Sequence, residues 1–276
     1  MIEVKVIADS INQDGNRLTT LQLKYHRFFH SEVMTHRVFS RNASSSRAIP
    51  VKKMLAQVWS DPATPLSWGS NQAGMQAGSP LEGVKLCLAK GLWKWAGRAM
   101  CGVAWGMMKI GLHKQVANRI LEPWQWIHVV LTSSEWGNFL DLRAHPDAQP
   151  EIQALARGIK LALDSSAPKK LTPHQWHLPY ITHNECGYPI DTQKQMSAAR
   201  CCRVSYLRHD GDMPSVEEDI LLCKRLAGAH PIHASPFEHV ARPYQPLFDK
   251  GGDQRNFRGW VQYRAEVERE VSSCSK

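Results

Sequence analysis

The sequence predicts an α+β protein in which a mixed or antiparallel sheet is packed with helices. Residues 2–8 and 17–29 read as two strands on either side of an Asp-Gly turn, which is typical of a β-hairpin. The apolar run 126–131 adds a further strand. Residues 81–112 place Ala, Leu, Trp and Met at helical spacing, and residues 152–163 repeat one apolar helix face. Strands followed by helices in this order indicate a mixed architecture.

Length and composition are those of an ordinary globular chain. Its 276 residues, of which 43% are hydrophobic and 21% charged, are enough for a sizeable core in one or two domains. No apolar run reaches the ~18 residues of a membrane span, and the segment 1–6 lacks the pattern of a signal peptide. Seven cysteines, an odd number, favour reduced thiols. We therefore expect a cytoplasmic protein with no membrane partner.

Local signals define the elements between these segments. Residues 51–59 suit a short helix, and residues 113–123 are predicted to end a helix near a proline. A Thr and a Glu three apart in the segment 132–135 predict a capping box that opens the next helix. Residues 164–195 are rich in Pro, Ser and Thr and read as a connector, while 215–227 form a helix with an acidic start.

A polar stretch, residues 35–47, is the part of the chain that carries the most chemistry. It holds one histidine, three arginines, one asparagine and four serines. Arginine pairs bidentately with phosphate, and hydroxyl and backbone N–H groups complete an oxygen shell. A solvated loop is the alternative on pattern alone. The net charge of +9 fits either a nucleic acid or an enzyme for a nucleotide, a folate tail or a dinucleotide cofactor, and it does not decide between them.

The spacing within this stretch resembles a known signature. The pattern His-Arg-x-x-Ser-x-Asn-x-x-Ser-x-Arg, read at His36, Arg37, Ser40, Asn42, Ser45 and Arg47, resembles that of the flavin-dependent thymidylate synthases. In that family the first residues of the signature meet flavin and the last meet the nucleotide. This chain has Thr35 where the family usually has an arginine before the histidine.

Three further segments resemble the same family. Arg119 in Val-Ala-Asn-Arg-Ile-Leu corresponds to a nucleotide-binding arginine, and Asn138 and Arg143 to a flavin contact and to the arginine that polarises the uracil ring. An Ala-Ala-Arg segment at 198–200 and a Ser-Pro-Phe-Glu-His segment at 235–239 are also present. In the family these last two precede the His-Arg signature, and here they follow it. The resemblance therefore implies a circular permutation.

The resemblance implies a single catalytic domain of the flavin-dependent thymidylate synthase fold. Its parts would be 1–59 (hairpin and signature), 60–112 (helical insertion), 113–163 (nucleotide-binding part), 164–195 (connector) and 196–276 (permuted flavin-binding segment). The insertion is not explained by the resemblance. Within it, the small and amide residues of 68–77 suit a ligand loop or a surface loop.

The implied activity is reductive methylation of dUMP to dTMP, with methylenetetrahydrofolate as carbon donor and FAD reduced by NADPH, in a homotetramer. Catalytic roles are implied for Arg143 and His36; substrate contacts for Ser44, Ser45, Ser46, Arg47, Arg119 and Arg143; and cofactor contacts for His36, Arg37, Asn42, Asn138, Ser205, Ser235 and Glu238. No obligatory nucleic acid is expected.

Two alternatives stay open at this stage. A related enzyme that hydroxymethylates dUMP or dCMP would carry the same motifs, and a basic nucleic-acid-binding protein would use the same arginines on backbone phosphate. Cysteine chemistry is not expected, because Cys201 and Cys202 read as packing residues. No metal is predicted, since the pairs His174-x-x-His177 and His183-x-x-Cys186 lack partner pairs.

Overall fold

A computed structural model of the chain describes residues 1–204 and 214–274. Its main sheet has five strands in the order β3-β4-β2-β1-β5, and all neighbours are antiparallel except β1 and β5, which are parallel. The α+β class with a mixed sheet is thus confirmed. The strands are β1 Glu3–Ile11, β2 Arg17–His26, β3 Ser40–Ala43, β4 Trp126–Ser133 and β5 Lys169–Lys170.

Helices and one small sheet complete the described fold. The helices are α1 His30–Met34, α2 Val51–Ser60, α3 Gly83–Lys109, α4 Lys114–Ala117, α5 Gly137–Arg143, α6 Pro150–Asp164, α7 Ile190–Arg203, α8 Val216–Ala227 and α9 Tyr263–Cys274. Short 3-10 turns cover Arg27–Phe29, Arg119–Trp124, His183–Glu185, Ser235–Glu238 and Gly251–Gln254. Strands β6 Ala241–Pro243 and β7 Trp260–Gln262 pair antiparallel in a second sheet.

The hairpin predicted at the start of the chain is present as β1 and β2. Gly15 has a φ of +82°, a left-handed conformation that glycine adopts without steric cost, and it closes the turn. The side chain of Asn12 accepts hydrogen bonds from the backbone N–H groups of Asp14 and Asn16, at 3.0 and 2.8 Å. These local bonds fix the register of the two strands.

The two faces of the main sheet are covered differently. On one face Leu21, Leu23 and Val129 pack against Leu155 and Ile159 of α6, and all five are fully buried. Along a strand, alternate residues point to the opposite face, and there the sheet presents polar groups instead. Residues of the C-terminal third, including α7 and β7, cover that second face.

The second face carries a buried chain of hydrogen bonds. The two ring nitrogens of His177 pair with Ser10 Oγ and Thr20 Oγ1, both at 2.8 Å. Thr20 Oγ1 lies 2.7 Å from Thr132 Oγ1, which in turn lies 2.8 Å from His239 Nδ1. Burial lowers the pKa of each histidine to about 3, so both rings are neutral. Of the pair His174-x-x-His177, the second histidine is thus a buried packing residue.

Two sequence expectations are corrected by the structure. The predicted capping box at Thr132 and Glu135 is wrong, because Thr132 lies inside β4 and α5 begins after Trp136 without a side-chain cap. The hydroxyl of Thr132 instead takes part in the buried chain of hydrogen bonds. The segment before Pro123 is not the end of a long helix either: α3 stops at Lys109, and α4 and a 3-10 turn follow. Gly111, with a φ of +84°, separates them.

The other helical predictions are confirmed. Residues 51–59 and 152–163 fall in α2 and α6, and the predicted range 81–112 exceeds α3 by a few residues at each end. The acidic-start helix is α8, with a capping box formed by Ser215 and Glu218. In the described part of the chain no helix combines the length and apolar character needed to cross a membrane.

Candidate active site

Strand pairing brings two distant segments together beside the signature. Because β3 and β4 are antiparallel, with Ser40 opposite Thr132, the residues that precede β3 lie at the same end as those that follow β4. The first group contains Glu32, Thr35 and His36. The second is helix α5, which ends at Arg143.

Arg143 is held by three side chains of the segment before β3. Its Nε donates to His36 Nε2 at 3.1 Å, its Nη1 to Glu32 Oε2 at 3.2 Å and its Nη2 to Thr35 Oγ1 at 3.3 Å. The Arg143 side chain keeps 24% of its surface exposed. The guanidinium is therefore fixed in direction and still accessible to a ligand.

His36 supports Arg143 in its neutral form. The ring is buried between Phe39 and Phe139, with centroid distances of 5.7 and 5.0 Å. Burial lowers the pKa of His36 from its ordinary value, and the charges of Arg143 and Arg41 lower it further. Because Nε2 accepts from Arg143, the ring proton belongs on Nδ1. This geometry gives His36 a positioning role behind Arg143.

Thr35 occupies the position at which the family signature usually has an arginine. Its hydroxyl donates to Glu32 O at 2.7 Å and accepts from Arg143. A guanidinium in this place would put a like charge against Arg143. Glu32 and Thr35 are functional candidates that the resemblance did not supply, and Glu32 gave no motif signal.

A second cluster forms at the other end of β3. Glu122 Oε1 accepts from Ser46 Oγ at 3.0 Å and from Arg119 Nη1 at 2.9 Å, and Arg27 Nη2 lies 3.1 Å away. Two of the predicted substrate residues, Ser46 and Arg119, are thus brought together. Arg27 and Glu122 were not predicted, because their proximity depends on the packing of the 3-10 turn before β4 on the 3-10 turn that follows β2.

The turn after β3 is held by residues that precede β4. Asn118 Nδ2 donates to Ser46 O at 2.7 Å and to Ile49 O at 2.9 Å, and Lys114 Nζ donates to Ala48 O at 2.9 Å. Arg47 lies within this turn and its side chain is exposed. The exposed Arg47 therefore lies in a turn that Lys114 and Asn118 hold in place, and a guanidinium group suits a phosphate.

Ser44 and Ser45 are placed differently from Ser46. Ser44 is buried, and its Oγ accepts from His128 N at 3.0 Å, so it extends the pairing of β3 and β4. Ser45 is half-buried, and its carbonyl accepts from Ala48 N at 2.9 Å. In this structure Ser44 stabilises the strand, and its predicted contact with substrate would need a change at this bond.

A cavity of about 1000 Å³ lies next to Arg143. Its walls include Glu32, Phe28, Trp93 and residues 146–151. Volumes of roughly 300–1000 Å³ are usual for small-molecule sites. A neighbouring cavity of about 430 Å³ shares Phe28 and is lined by Arg27 and Glu122 of the second cluster, among others. Neither Arg47 nor Ser235 is among the residues that line the first cavity.

Only some of the residues implied for flavin lie near the signature. The turn Ser235–Glu238 packs against β3. Asn42 Nδ2 donates to Cys201 O at 3.3 Å, and Glu238 Oε1 accepts from Arg264 Nη1 at 2.8 Å, so these two are committed within the chain. Ser235 is exposed. Ser205 lies outside the described residues.

Arg37 and Asn138 have exposed side chains at the same end of the sheet as Arg143. A cation, an amide and, at Ser235, a hydroxyl are chemically suited to a dinucleotide that carries a diphosphate and a polar ring edge. These groups are compatible with a flavin nucleotide in their chemistry, and none of the three lines either of the two cavities described above.

The cysteines next to this region are not nucleophiles. Cys201 is fully buried and Cys202 nearly so; burial raises the pKa of Cys202 to about 11 and also raises that of Cys201. A thiolate is the reactive form of cysteine. Both therefore act as packing residues, as the sequence predicted. Within 1–204 and 214–274, no three potential ligands among His, Cys, Asp and Glu are gathered as a metal ion would require.

Comparisons with known proteins give weak likenesses in fold. No protein-family model and no curated protein matches the sequence. Among solved structures, the UMP/dUMP methylase PolB from Streptomyces cacaoi, bound with 5-Br dUMP, has 16% identity over 63% of this chain and 92% of that chain, at a TM-score of 0.48. The same protein bound with 5-Br UMP has 15% identity over 63% and 91%, at 0.49.

Thymidylate Synthase X (ThyX) from Helicobacter pylori, solved with FAD and dUMP, is also similar. It has 16% identity over 53% of this chain and 67% of that chain, at a TM-score of 0.36. Because all three TM-scores are below 0.5, the function proposed below rests on the residues of this chain.

Proposed function

We propose that this chain is a flavin-dependent thymidylate synthase that methylates dUMP at C5 to give dTMP. One observation carries the proposal: Arg143 is directed into a cavity by Glu32, Thr35 and His36, three residues of or beside the signature. An arginine held in a fixed position stabilises an anion that develops on a bound ring, because its charge is already in place and needs no reorganisation during the reaction.

The roles of the residues follow from their places. The pyrimidine ring lies against Arg143, whose charge stabilises the ring as C5 becomes nucleophilic. The phosphate lies at the second cluster, where Arg47 and Arg119 supply two guanidinium groups. Ser46 Oγ and Arg119 Nη1 bond to Glu122 Oε1 in this structure, and contact with the phosphate would need a change at these bonds. In the overall reaction C5 loses its hydrogen as a proton, a C5–C bond forms to the methylene carbon, the two C–N bonds of that carbon to the folate break to release tetrahydrofolate, and a hydride completes the methyl group.

FAD, when bound, would supply that hydride after reduction by NADPH. Arg37, Asn138 and Ser235 would hold it through their exposed side chains. Since these groups and Arg47 do not line the cavity at Arg143, a site shared between copies of the chain in a homotetramer would complete the constellation. The circular permutation and the insertion at 60–112 belong to the same proposal.

A second candidate keeps the substrate and changes the product. Residues 65–78 of the insertion contribute to the cavity wall, so the pocket at Arg143 is shaped by a segment that the resemblance does not cover. Transfer of the methylene carbon with addition of water in place of hydride would give a 5-hydroxymethyl pyrimidine nucleotide from dUMP or dCMP. The mass of the product separates the two reactions.

The experiment combines three measurements on the full-length protein. Bound flavin gives an absorption band at about 450 nm, dUMP labelled with tritium at C5 releases the label, and mass spectrometry identifies the product. The variant Arg143→Ala should lose tritium release, whereas Asp141→Ala, an exposed position on the same helix, should retain it. If the protein binds no added FAD and releases no tritium in the presence of both co-substrates, the proposal is refuted.

A further inference from the structure

The segment between α2 and α3 is fixed to the body of the protein by buried groups. His26 Nε2 pairs with Thr64 O at 2.8 Å, Trp93 Nε1 donates to Ala63 O at 3.0 Å, and Leu66 N donates to Glu151 Oε1 at 2.7 Å. Glu151 is only 3% exposed. A buried carboxylate that accepts a backbone N–H is costly to leave unpaired. The segment is therefore part of the folded structure and not a free surface loop.

Beyond these contacts the chain forms a hairpin, residues 68–81, which we call the cavity hairpin. Its two arms are joined by bonds from Ser70 N to Ser79 O at 2.9 Å, from Gly78 N to Ser70 O at 2.8 Å and from Leu81 N to Trp68 O at 2.7 Å. A Cβ at Gly69 would lie 2.4 Å from Ala77 Cβ and 2.9 Å from Gly78 O on the other arm. Glycine is thus required where the arms approach each other.

The cavity hairpin and Arg143 line the same cavity. Met75, Gln76 and Ala77 line the same space as Arg143 and Glu32, and Phe28 and Trp93 add aromatic surface. The backbone carbonyl of Gln76 accepts from Gln72 Nε2 at 3.1 Å. Within the described chain, no side-chain hydrogen bond is found for the amide of Gln76, so both its donors and its acceptor are free for a ligand.

We propose that the cavity hairpin is the selectivity wall of the pyrimidine pocket and that Gln76 is its specificity-determining residue. The inference rests on the proposed function. A uracil ring carries both a donor and acceptors on its polar edge, and a side-chain amide offers the matching acceptor and donor. Arg143 can only donate. Together the two residues would hydrogen-bond the polar edge of one ring, while Phe28 and Trp93, packed edge to face with ring centroids 6.3 Å apart, add apolar surface beside it.

This assignment explains why an amide-rich, glycine-bearing hairpin is attached so firmly. A site that hydrogen-bonds its substrate rejects analogues that leave its polar groups unpaired. That selection requires the reading group to stay in place. The bonds to His26, Trp93 and Glu151 fix residues 63–66, from which the hairpin extends, and the three backbone bonds between its arms hold its shape.

The test compares two near-isosteric changes in the same hairpin. Gln76→Met removes the amide on the cavity wall, and Asn71→Leu removes an exposed amide that does not line the cavity. For Gln76→Met we expect the KM for dUMP to rise about tenfold and the preference for dUMP over dCMP, measured as the ratio of kcat/KM, to fall by a similar factor. Asn71→Leu should change neither, and both variants should keep the melting temperature of the parent.

A second variant guards against a general disturbance of the loop. Replacing residues 71–78 by Asn-Gly, a two-residue hairpin turn, keeps the bonded pair Ser70 and Ser79 and the buried attachments. It should also lose the preference for dUMP. If the parent enzyme turns over dUMP while Gln76→Met keeps both its KM and its preference, this inference alone is overturned. A parent chain inactive on dUMP would refute the proposed function, and this inference with it.

Discussion

The buried histidines predict a loss of stability in mild acid. His177 and His239 lie in one hydrogen-bonded chain behind the sheet, and burial lowers the pKa of each from 6.5 to about 3. The folded pKa lies below the unfolded value, so the unfolded chain takes up protons first as the pH falls. The stabilisation from the two neutral rings is therefore present above about pH 6.5 and is lost progressively toward about pH 3.

The magnitude follows from the two pKa values. At 1.36 kcal/mol per pH unit, lowering the pH from about 7 to about 5 costs about 2 kcal/mol for each histidine, and about 4 kcal/mol for the pair. The neighbouring carboxylate of Asp9 acts against the shift at His177, and the ring of His177 adds to the shift at His239. A loss of this size is a large part of the stability of a typical domain, ~5–15 kcal/mol.

Urea unfolding at the two pH values measures this loss. In His239→Asn the amide can take the place of Nδ1 opposite Thr132 Oγ1, and the variant should lose about 2 kcal/mol less than the parent over the same pH interval. His174→Asn, at an exposed position, should behave like the parent. An equal pH dependence in His239→Asn and in the parent would refute the argument.

Three predictions concern the proposed site. Arg47→Ala and Arg119→Ala should each raise the KM for dUMP by about tenfold to a hundredfold, because each removes a charge-assisted contact of ~1.5–3 kcal/mol; an unchanged KM would exclude phosphate binding there. Arg143→Ala should lower kcat more than it raises KM, because its charge is needed most in the transition state; steady-state kinetics would contradict this role if KM alone changed. Thr35→Arg should lower kcat by placing a like charge on Arg143, now 3.3 Å from Thr35 Oγ1, whereas Thr35→Ser should not; equal rates would contradict the contact.

The sequence was sufficient where local pattern decides structure. The Asp-Gly turn predicted the hairpin, apolar spacing predicted α3 and α6, and the acidic residues after Ser215 predicted the start of α8. The same reasoning failed at Thr132, whose capping pattern is as good as that of Ser215. There the hydroxyl bonds to His239, 107 residues away in the chain. A local sequence motif contains no information about a competing partner that is so far away in the sequence.

The candidate site shows the same contrast between residues that stand in a local motif and residues whose role depends on distant partners. The family resemblance predicted roles for His36, in the signature, and for Arg143, in a separate segment, because the residue types and spacing resemble a known pattern. It could not identify Glu122 or Gln76, since neither stands in a motif and each matters through what the fold places beside it. Glu32 belongs with them: its carboxylate is notable only once Arg143 lies 3.2 Å away.

The short strand β3 sets the distance between the two ends of the proposed nucleotide site. Arg143 lies at the end where Ser40 begins the strand, and Arg119 lies at the end where Ala43 closes it. At about 3.4 Å per residue the strand separates these ends by roughly 10 Å. Changes at sites this far apart with no shared partner usually add. The double variant Arg119→Ala/Arg143→Ala should therefore lose kcat/KM by the product of the two single losses. A clearly smaller loss would mean that the two arginines act on the same part of the substrate, and the separation into a ring end and a phosphate end would be wrong.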